Sequence, residues 1–184
     1  MDEARLQMVL TSAMNDDAEA LGELYQAFKP RVLGLCRHLL GRPEEAEDAT
    51  SEVFARLPKA LKSYQASLPF PRWLLSVTSH HCVDRLRRRK LEQRLFEAEP
   101  AEALPLPVQE ASPLEQVISD EGRDRVRKAI AALSEQYRVP LTLRYYSDLS
   151  YDEIAEQLGL SRPNVATLIF RAKQQLRREL RENL

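Results

Sequence analysis

Apolar residues recur at spacings of three and four along most of the chain, which is the pattern of amphipathic helices. In the N-terminal half this pattern predicts four helices. Asn15 or Asp16 caps the first of them. Pro30 ends that helix or opens the second, which stops at Gly41. The third follows directly, and the fourth runs from about residue 72 to residue 90.

The middle of the chain breaks the pattern. Residues 95–113 hold four prolines and no helical periodicity, so a continuous helix is excluded there. We therefore predict an N-terminal domain over 1–91, a linker over 92–112 and a C-terminal domain over 113–184. The C-terminal domain is predicted to open with two helices, at about 114–132 and 135–146.

A helix-turn-helix follows in the C-terminal domain. Ser150 and Glu153 form a capping box at the start of a short helix. Gly159 supplies a tight turn, and Leu160 is expected to pack back into the core. Ser161 caps a longer second helix. A short helix, a glycine turn and a capped second helix are the signature of this motif, although a generic helical hairpin produces part of it.

Composition supports an all-α fold of two small helical domains. Only five glycines occur in 184 residues, which disfavours nucleotide-binding βαβ units and turn-rich β folds. No uncharged apolar run approaches the length of a membrane span, and the N-terminus lacks a signal-peptide pattern. Two cysteines cannot build a disulfide framework. We therefore expect a cytoplasmic protein with no membrane insertion.

Charge is unevenly distributed, although the formal net charge is only −1. Residues 1–90 carry a net +2 and residues 122–184 a net +4, whereas residues 91–121 carry a net −7. Phosphate binding requires local positive charge and not a basic total. Two basic ends around an acidic middle are compatible with nucleic-acid binding, and equally with an acidic linker that is merely solvated.

The second helix of the motif is the strongest candidate for contact with DNA, because its N-terminal part enters the major groove. Arg162 and Asn164 carry donors that can read base edges. Arg171 and Lys173 lie further along and suit phosphates. A solvated helix face is the alternative. The residues predicted to lie outside the buried face are Arg162, Asn164, Thr167, Phe170, Arg171, Lys173 and Gln174.

A second basic cluster ends the fourth predicted helix and includes Arg87 and Arg88. Cations there suit the helix dipole, but they also suit a helix that tracks phosphates. Tyr64, Phe70 and Trp73 lie just upstream. Aromatic rings beside a basic stripe fit the capture of an unpaired base, whereas a lone tryptophan is more often a core residue.

Catalytic motifs are absent from the sequence, and we predict no catalytic residue, no cofactor and no metal. A zinc site built on Cys36, His38, His80 and Cys82 is one alternative, since those residue types bind zinc. His80, His81 and Cys82 are contiguous and cannot all face one metal from a single helix.

The two domains together resemble the extracytoplasmic-function (ECF) sigma factors of bacteria, members of the sigma-70 class. The likeness covers about 20–90 and 114–181. The N-terminal matches are Leu24, Tyr25, Phe28, Pro30, Val32, the stretch 44–54, Phe70, Trp73, Leu74, Val77 and Asp84. The C-terminal matches are Ala132, Leu133, 149–151, 153–155, Leu158, Gly159, Ser161, Val165, 171–173 and Leu176.

This resemblance implies a sigma factor that is not an enzyme. Asp48, Glu52 and Arg56 would dock on the clamp helices of the largest subunit of core RNA polymerase, and the β-flap would be a further contact. The loop 63–71 and the following helix would melt and hold the −10 promoter element. The residues implied there are Tyr64, Phe70, Arg72, Trp73, Ser76, Ser79, His80, Arg87 and Arg88.

The C-terminal motif would read the −35 element, and the acidic linker would enter the polymerase channel normally taken by RNA. The resemblance also implies an anti-sigma factor as a further partner. The recognition helix departs from the usual pattern, because Ala166 and Leu168 stand where relatives carry basic residues. The rival hypotheses are a conventional helix-turn-helix regulator and a sigma mimic that titrates an anti-sigma factor.

Overall fold

Helices account for all regular structure in the parts of the chain that the computed structural model describes, residues 1–96 and 120–182. Side chains are described over 1–91 and 125–181. The predicted all-α fold class is confirmed. The helices are α1 Glu3–Ala13, α2 Ala18–Leu40, α3 Pro43–Leu61, α4 Phe70–Phe96, α5 Asp120–Ala132, α6 Glu135–Tyr145, α7 Tyr151–Leu158 and α8 Arg162–Glu182.

The chain divides into two units, Met1–Asp84 and Arg85–Leu184. The division falls inside α4 and precedes the boundary expected after residue 91, because side chains at the end of α4 pair with residues of the second unit. The predicted linker, 92–112, lies outside the described residues except for 92–96, which continue α4. The start of the helix expected over 114–132 also lies outside them.

The core of the first unit is built on α2. Asp17, and not Asn15 or Asp16, caps this helix, because its carboxylate accepts the backbone N–H groups of Glu19 and Ala20. Gly41 ends α2 in the left-handed conformation, with φ of 76°, as predicted.

The break expected at Pro30 is wrong, because α2 continues through it as one helix. Proline removes one backbone donor and disfavours a helix interior. The residues that follow it, from Val32 to Leu40, bury a nearly continuous apolar stripe in the core, and this packing outweighs the local preference. Propensity is a weak guide wherever tertiary burial of this size competes with it.

Helix α4 begins at Phe70, two residues before its predicted start at Arg72. Pro71 therefore lies in the first turn, where its missing N–H group costs nothing. The middle of the helix buries Leu74, Leu75 and Cys82 against the rest of the first unit. The buried residues return every three or four positions, so the opposite side of the same helix faces outward.

The helix-turn-helix of the second unit forms as predicted. Ser150 and Glu153 complete the capping box, and Gly159 adopts a left-handed conformation with φ of 67°. Helix α8 then buries Val165, Ile169 and Ala172. The position of Leu160 was predicted wrongly, because its side chain is 38% exposed. Its backbone N–H closes the turn on the Ala155 carbonyl, which directs the side chain away from the core.

Two further properties follow from the described part of the chain. None of its helices is both long and apolar enough to cross a bilayer. Nor does it gather three or more histidine, cysteine, aspartate or glutamate side chains at one point where a metal ion could bind. The alternative zinc site on Cys36, His38, His80 and Cys82 is therefore not formed.

We predict opposite stability effects at two glycines. Gly159→Ala should lower the free energy of unfolding by about 1–2 kcal/mol, because a left-handed residue with a Cβ atom is strained. Gly22→Ala should raise it by about 0.5–1 kcal/mol, because Gly22 lies inside α2 with open space around its Cα atom. Urea unfolding followed by circular dichroism measures both, and two changes of the same sign would contradict the prediction.

Candidate functional site

Helix α3 presents a charged stripe on its outer side. Asp48 and Arg56 are exposed, and Glu52 lies between them at helical spacing. An Oε2 atom of Glu52 lies 3.8 Å from Nη2 of Arg56 and 3.1 Å from Nε2 of His81 on α4. The opposite side of α3 packs small and branched residues into the core, among them Ala49 and Val53. The three predicted residues therefore form one accessible surface.

An aromatic cluster joins the loop before α4 to the start of that helix. The ring of Tyr64 lies 5.7 Å from that of Phe70 and 5.1 Å from that of Trp73, measured between centroids. Phe28 of α2 supports Phe70 at 5.2 Å. Phe70 is itself only 2% exposed, whereas Tyr64 and Trp73 are half-buried. An accessible position for Phe70 is therefore wrong, because its ring packs beneath the cluster, and Tyr64 and Trp73 form the accessible edge.

The hydroxyl group of Tyr64 is fixed in place. It donates a hydrogen bond to the Leu68 carbonyl at 2.8 Å, within the loop. Burial raises the pKa of Tyr64 above its ordinary value of 10.0, and the negative charge of Glu3 raises it further. The phenol is therefore neutral at physiological pH. Its hydrogen bond to Leu68 joins the loop to the Tyr64 side chain.

On the following turns of α4, the residues predicted to contact the −10 element divide into accessible and buried ones. Arg72 and Ser76 are half-buried and His80 is exposed, so these side chains reach the surface. The Nδ1 atom of His80 lies 2.8 Å from the Ser76 carbonyl oxygen. Ser79 is fully buried and donates to the same carbonyl at 2.8 Å. The prediction that Ser79 is accessible is therefore wrong, because its hydroxyl group bonds to the backbone of its own helix.

The basic end of α4 belongs to the second unit and is paired there. Arg87 and Arg88 are exposed, as a phosphate-contacting role requires. A guanidinium nitrogen of Arg87 donates to the Gln157 carbonyl of α7 at 2.7 Å. The carboxylate of Glu135 binds Arg89 and, at 3.0 Å, Nζ of Lys90. These partners lie far away in sequence and carry no local signal, so the sequence did not reveal them.

Glu135 is the electrostatic centre of this cluster. Burial by itself raises the pKa of Glu135, but the charges and hydrogen bonds of Lys90 and Arg89 outweigh it, so the pKa lies below the ordinary 4.5. The ionised carboxylate is thus the form that the folded protein prefers.

The recognition helix α8 presents Arg162 and Asn164 at its exposed N-terminal end. Nε of Arg162 lies 3.5 Å from the Asp152 carboxylate of α7, with both side chains largely in solvent. Thr167 is half-buried and donates to the Pro163 carbonyl at 3.0 Å. Arg171 is half-buried, and Phe170 is 36% exposed. These five predicted residues reach the surface of α8.

Lys173 does not share that surface. Its side chain is only 8% exposed, and its ammonium group lies 4.9 Å from the centroid of the Tyr145 ring. The sequence placed Lys173 outside the buried face, which is wrong. A cation over an aromatic ring is stabilised by the ring quadrupole, so Lys173 supports the packing of α8 on α6.

We predict that the Glu135 cluster stabilises the protein above about pH 4.5 and that this contribution is lost as pH falls through the lowered pKa. Glu135→Gln should therefore lower the midpoint of thermal unfolding more at about pH 6 than at about pH 3. Glu156→Gln, which alters an exposed carboxylate of the same unit, is the control. A loss for Glu135→Gln that is equal at both pH values would refute the assignment.

Both units correspond to known protein families. Residues 24–92 match the model of sigma-70 region 2, and residues 123–176 match the model of sigma-70, region 4. Two solved structures have a similar fold. The sigma factor RpoE in complex with the anti-sigma factor NepR, from Bartonella quintana, has a TM-score of 0.56 at 18% identity, over 87% of this chain and 96% of that one. CnrH in complex with the cytosolic domain of CnrY has 0.55 at 20% identity, over 96% and 97%.

Relatives in sequence agree with this. The ECF RNA polymerase sigma factor SigE of Mycolicibacterium smegmatis is 33% identical over 157 residues, which cover 84% of this chain and 59% of that protein. The ECF RNA polymerase sigma factor SigW of Bacillus subtilis is 30% identical over 171 residues, 90% of this chain and 91% of that protein. Because SigW is 30% identical over 90% of this chain and 91% of its own length, and both sigma-70 regions occur in order, the chain belongs to the family of ECF sigma factors.

Proposed function

We propose that this chain is the promoter-recognition subunit of a bacterial RNA polymerase. Residues 1–91 bind core polymerase and the −10 element, residues 113–184 read the −35 element, and residues 92–112 connect them. The chain contributes binding and orientation, and the polymerase carries out nucleotidyl transfer. The observation that carries this proposal is an ECF relative at 30% identity over 90% of the chain, with both sigma-70 regions in order.

Docking on polymerase is assigned to the outer stripe of α3. The exposed carboxylate of Asp48 and the guanidinium of Arg56 are available to a partner, and their helix is held rigidly by its buried side. A helix that is already fixed by its buried side needs no backbone ordering when it binds, which reduces the entropic cost of association. This arrangement suits the helical clamp of the largest polymerase subunit.

Opening of the −10 element is assigned to the aromatic cluster and the outer side of α4. Tyr64 and Trp73 offer ring surface on which an unpaired base can stack, and base–aromatic stacking stabilises a single strand by about 1–3 kcal/mol per base. Arg72, Ser76 and His80 continue from there along the helix. Because only an unpaired base can stack, this binding energy favours the melted state of the promoter.

Recognition of the −35 element is assigned to α8. Arg162 and Asn164 can donate to base edges from its N-terminal end, and Arg171 can bind a phosphate. Ala166 and Leu168, which replace basic residues usual in the family, reduce the number of phosphate contacts that this helix can make. The −35 interaction should accordingly depend less on salt than in relatives that keep both cations.

Two further features complete the proposal. The site of action is the cytoplasm, where promoter DNA and polymerase meet. An anti-sigma inhibitor stays a prediction for this chain, because the likeness to solved sigma–inhibitor complexes is one of fold.

We predict that the purified chain directs run-off transcription by core RNA polymerase from genomic fragments. Asp48→Asn should weaken its binding to core polymerase about tenfold, because a charged contact of the proposed docking surface is removed. Glu19→Gln removes the same charge from an exposed position on α2 and should bind normally. Fluorescence titration of labelled chain with core polymerase measures both.

The same assays separate the rival functions. A conventional regulator does not need core polymerase to bind its site, and a sigma mimic yields no transcript with it. Absence of both core binding and initiation would contradict the proposed function.

We predict different roles for two residues of α8. Asn164→Ala should lower the preference of the holoenzyme for a selected −35 sequence over a scrambled one about tenfold, because a base contact is lost. Arg171→Ala should weaken binding to both sequences equally and reduce the salt slope by about 1. Gel-shift titrations over a range of salt distinguish them, and an unchanged preference for Asn164→Ala would disprove its assignment.

A further inference from the structure

The two cysteines of the chain meet in the core of the first unit. Cys36 lies on α2 and Cys82 on α4, both with none of their surface exposed. Their Sγ atoms are 3.6 Å apart, although 46 positions separate them in the sequence. Both are thiols in this structure. The polymerase and promoter functions use neither side chain, so this juxtaposition is left unexplained by them.

We propose that Cys36 and Cys82 form a reversible thiol–disulfide site that links α2 to α4 inside the folded unit. A disulfide bond is about 2.05 Å long, so the two sulfur atoms must approach by about 1.5 Å. The bond therefore requires both side chains to rotate toward each other. In a reducing cytosol, pairs of this kind exist as thiols and become disulfides transiently under oxidation.

The oxidant that we propose for this step is hydrogen peroxide. One cysteine, as the thiolate, attacks a peroxide oxygen; the O–O bond breaks, and a sulfenic acid and hydroxide form, the latter taking up the released proton as water. The second sulfur then attacks the sulfenic sulfur. The S–S bond forms, the S–O bond breaks, and the departing hydroxide takes the second thiol proton as water. Two thiols lose two electrons, and one peroxide gains them.

Burial controls which reagents reach the pair. Cys36 and Cys82 have no exposed surface, so neither sulfur contacts solvent. A bulky disulfide or alkylating reagent requires the α2–α4 packing to open first. Close contact also means that a sulfenic acid on either cysteine meets its resolving thiol at once. The pair is therefore expected to stop at the disulfide and not proceed to higher oxides.

The Cys36–Cys82 disulfide would link α2, a core helix, covalently to α4, which also carries accessible residues. Helix α2 packs against α3, and it contacts α4 through Phe28 and Phe70 and through the two cysteines. The outer side of α4 carries the accessible residues Ser76 and His80. The crosslink closes a long loop of chain between Cys36 and Cys82. Closing a long loop restricts the unfolded chain, so the oxidised protein should resist unfolding more than the reduced one.

The test uses the full chain, reduced and then treated with hydrogen peroxide under conditions in which its circular dichroism spectrum is unchanged. Because the chain has only two cysteines, an intramolecular disulfide has one possible identity. The expected result is a monomer whose intact mass is lower by about 2 Da, reversed by dithiothreitol. Its unfolding midpoint should rise by about 5 °C or more.

Two variants serve as controls. Cys82→Ala and Cys36→Ala each keep a small apolar side chain in the core and should show neither the mass loss nor the rise in unfolding midpoint. If either variant fails to fold, the mass measurement on the unaltered chain still decides the question. An unchanged mass, a gain of oxygen without loss of hydrogen, or a disulfide-linked dimer would overturn the proposal. None of these outcomes depends on whether the chain binds polymerase.

Discussion

Each functional helix of this protein must bury one side in its own unit and keep the opposite side polar. Helix α3 shows the constraint most simply. Ala49 and Val53 are buried, while Asp48 and Arg56 stay in solvent on the same few turns. The buried side fixes the direction of the exposed one, so a charged stripe on a mobile helix would not serve as a docking surface. The helical spacing of apolar residues thus determines both the stability of the unit and the direction of the surface that binds a partner.

A count of basic residues in the sequence overstates the number of cations that are available to bind DNA. Arg89 and Lys90 are held by the carboxylate of Glu135, and Lys173 lies buried over the ring of Tyr145. A phosphate must compete with these partners before such a cation contributes to binding. Under the proposed function we therefore expect cations that reach solvent, such as Arg88, to make more of the contact with the DNA backbone than cations that are already paired within the protein.

The sequence predicts the parts of the fold that depend on neighbouring residues. The capping box at Ser150 and the left-handed turn at Gly159 are set within three or four positions, and both were predicted correctly. Leu160 and Lys173 were placed on the wrong sides, because a helical wheel does not show where a turn aims a side chain or whether a ring covers it. The interaction of Glu135 with Arg89 joins residues 46 positions apart and has no local signal.

Helix α4 combines three roles that are usually distributed over several elements. Its buried side holds Leu74 and Cys82 in the core, and its outer side presents His80. Its basic end belongs to the second unit. A substitution on the buried side therefore changes the folded fraction of the protein together with the position of the outer residues. Only a comparison at equal folded fraction separates an effect on promoter opening from an effect on stability.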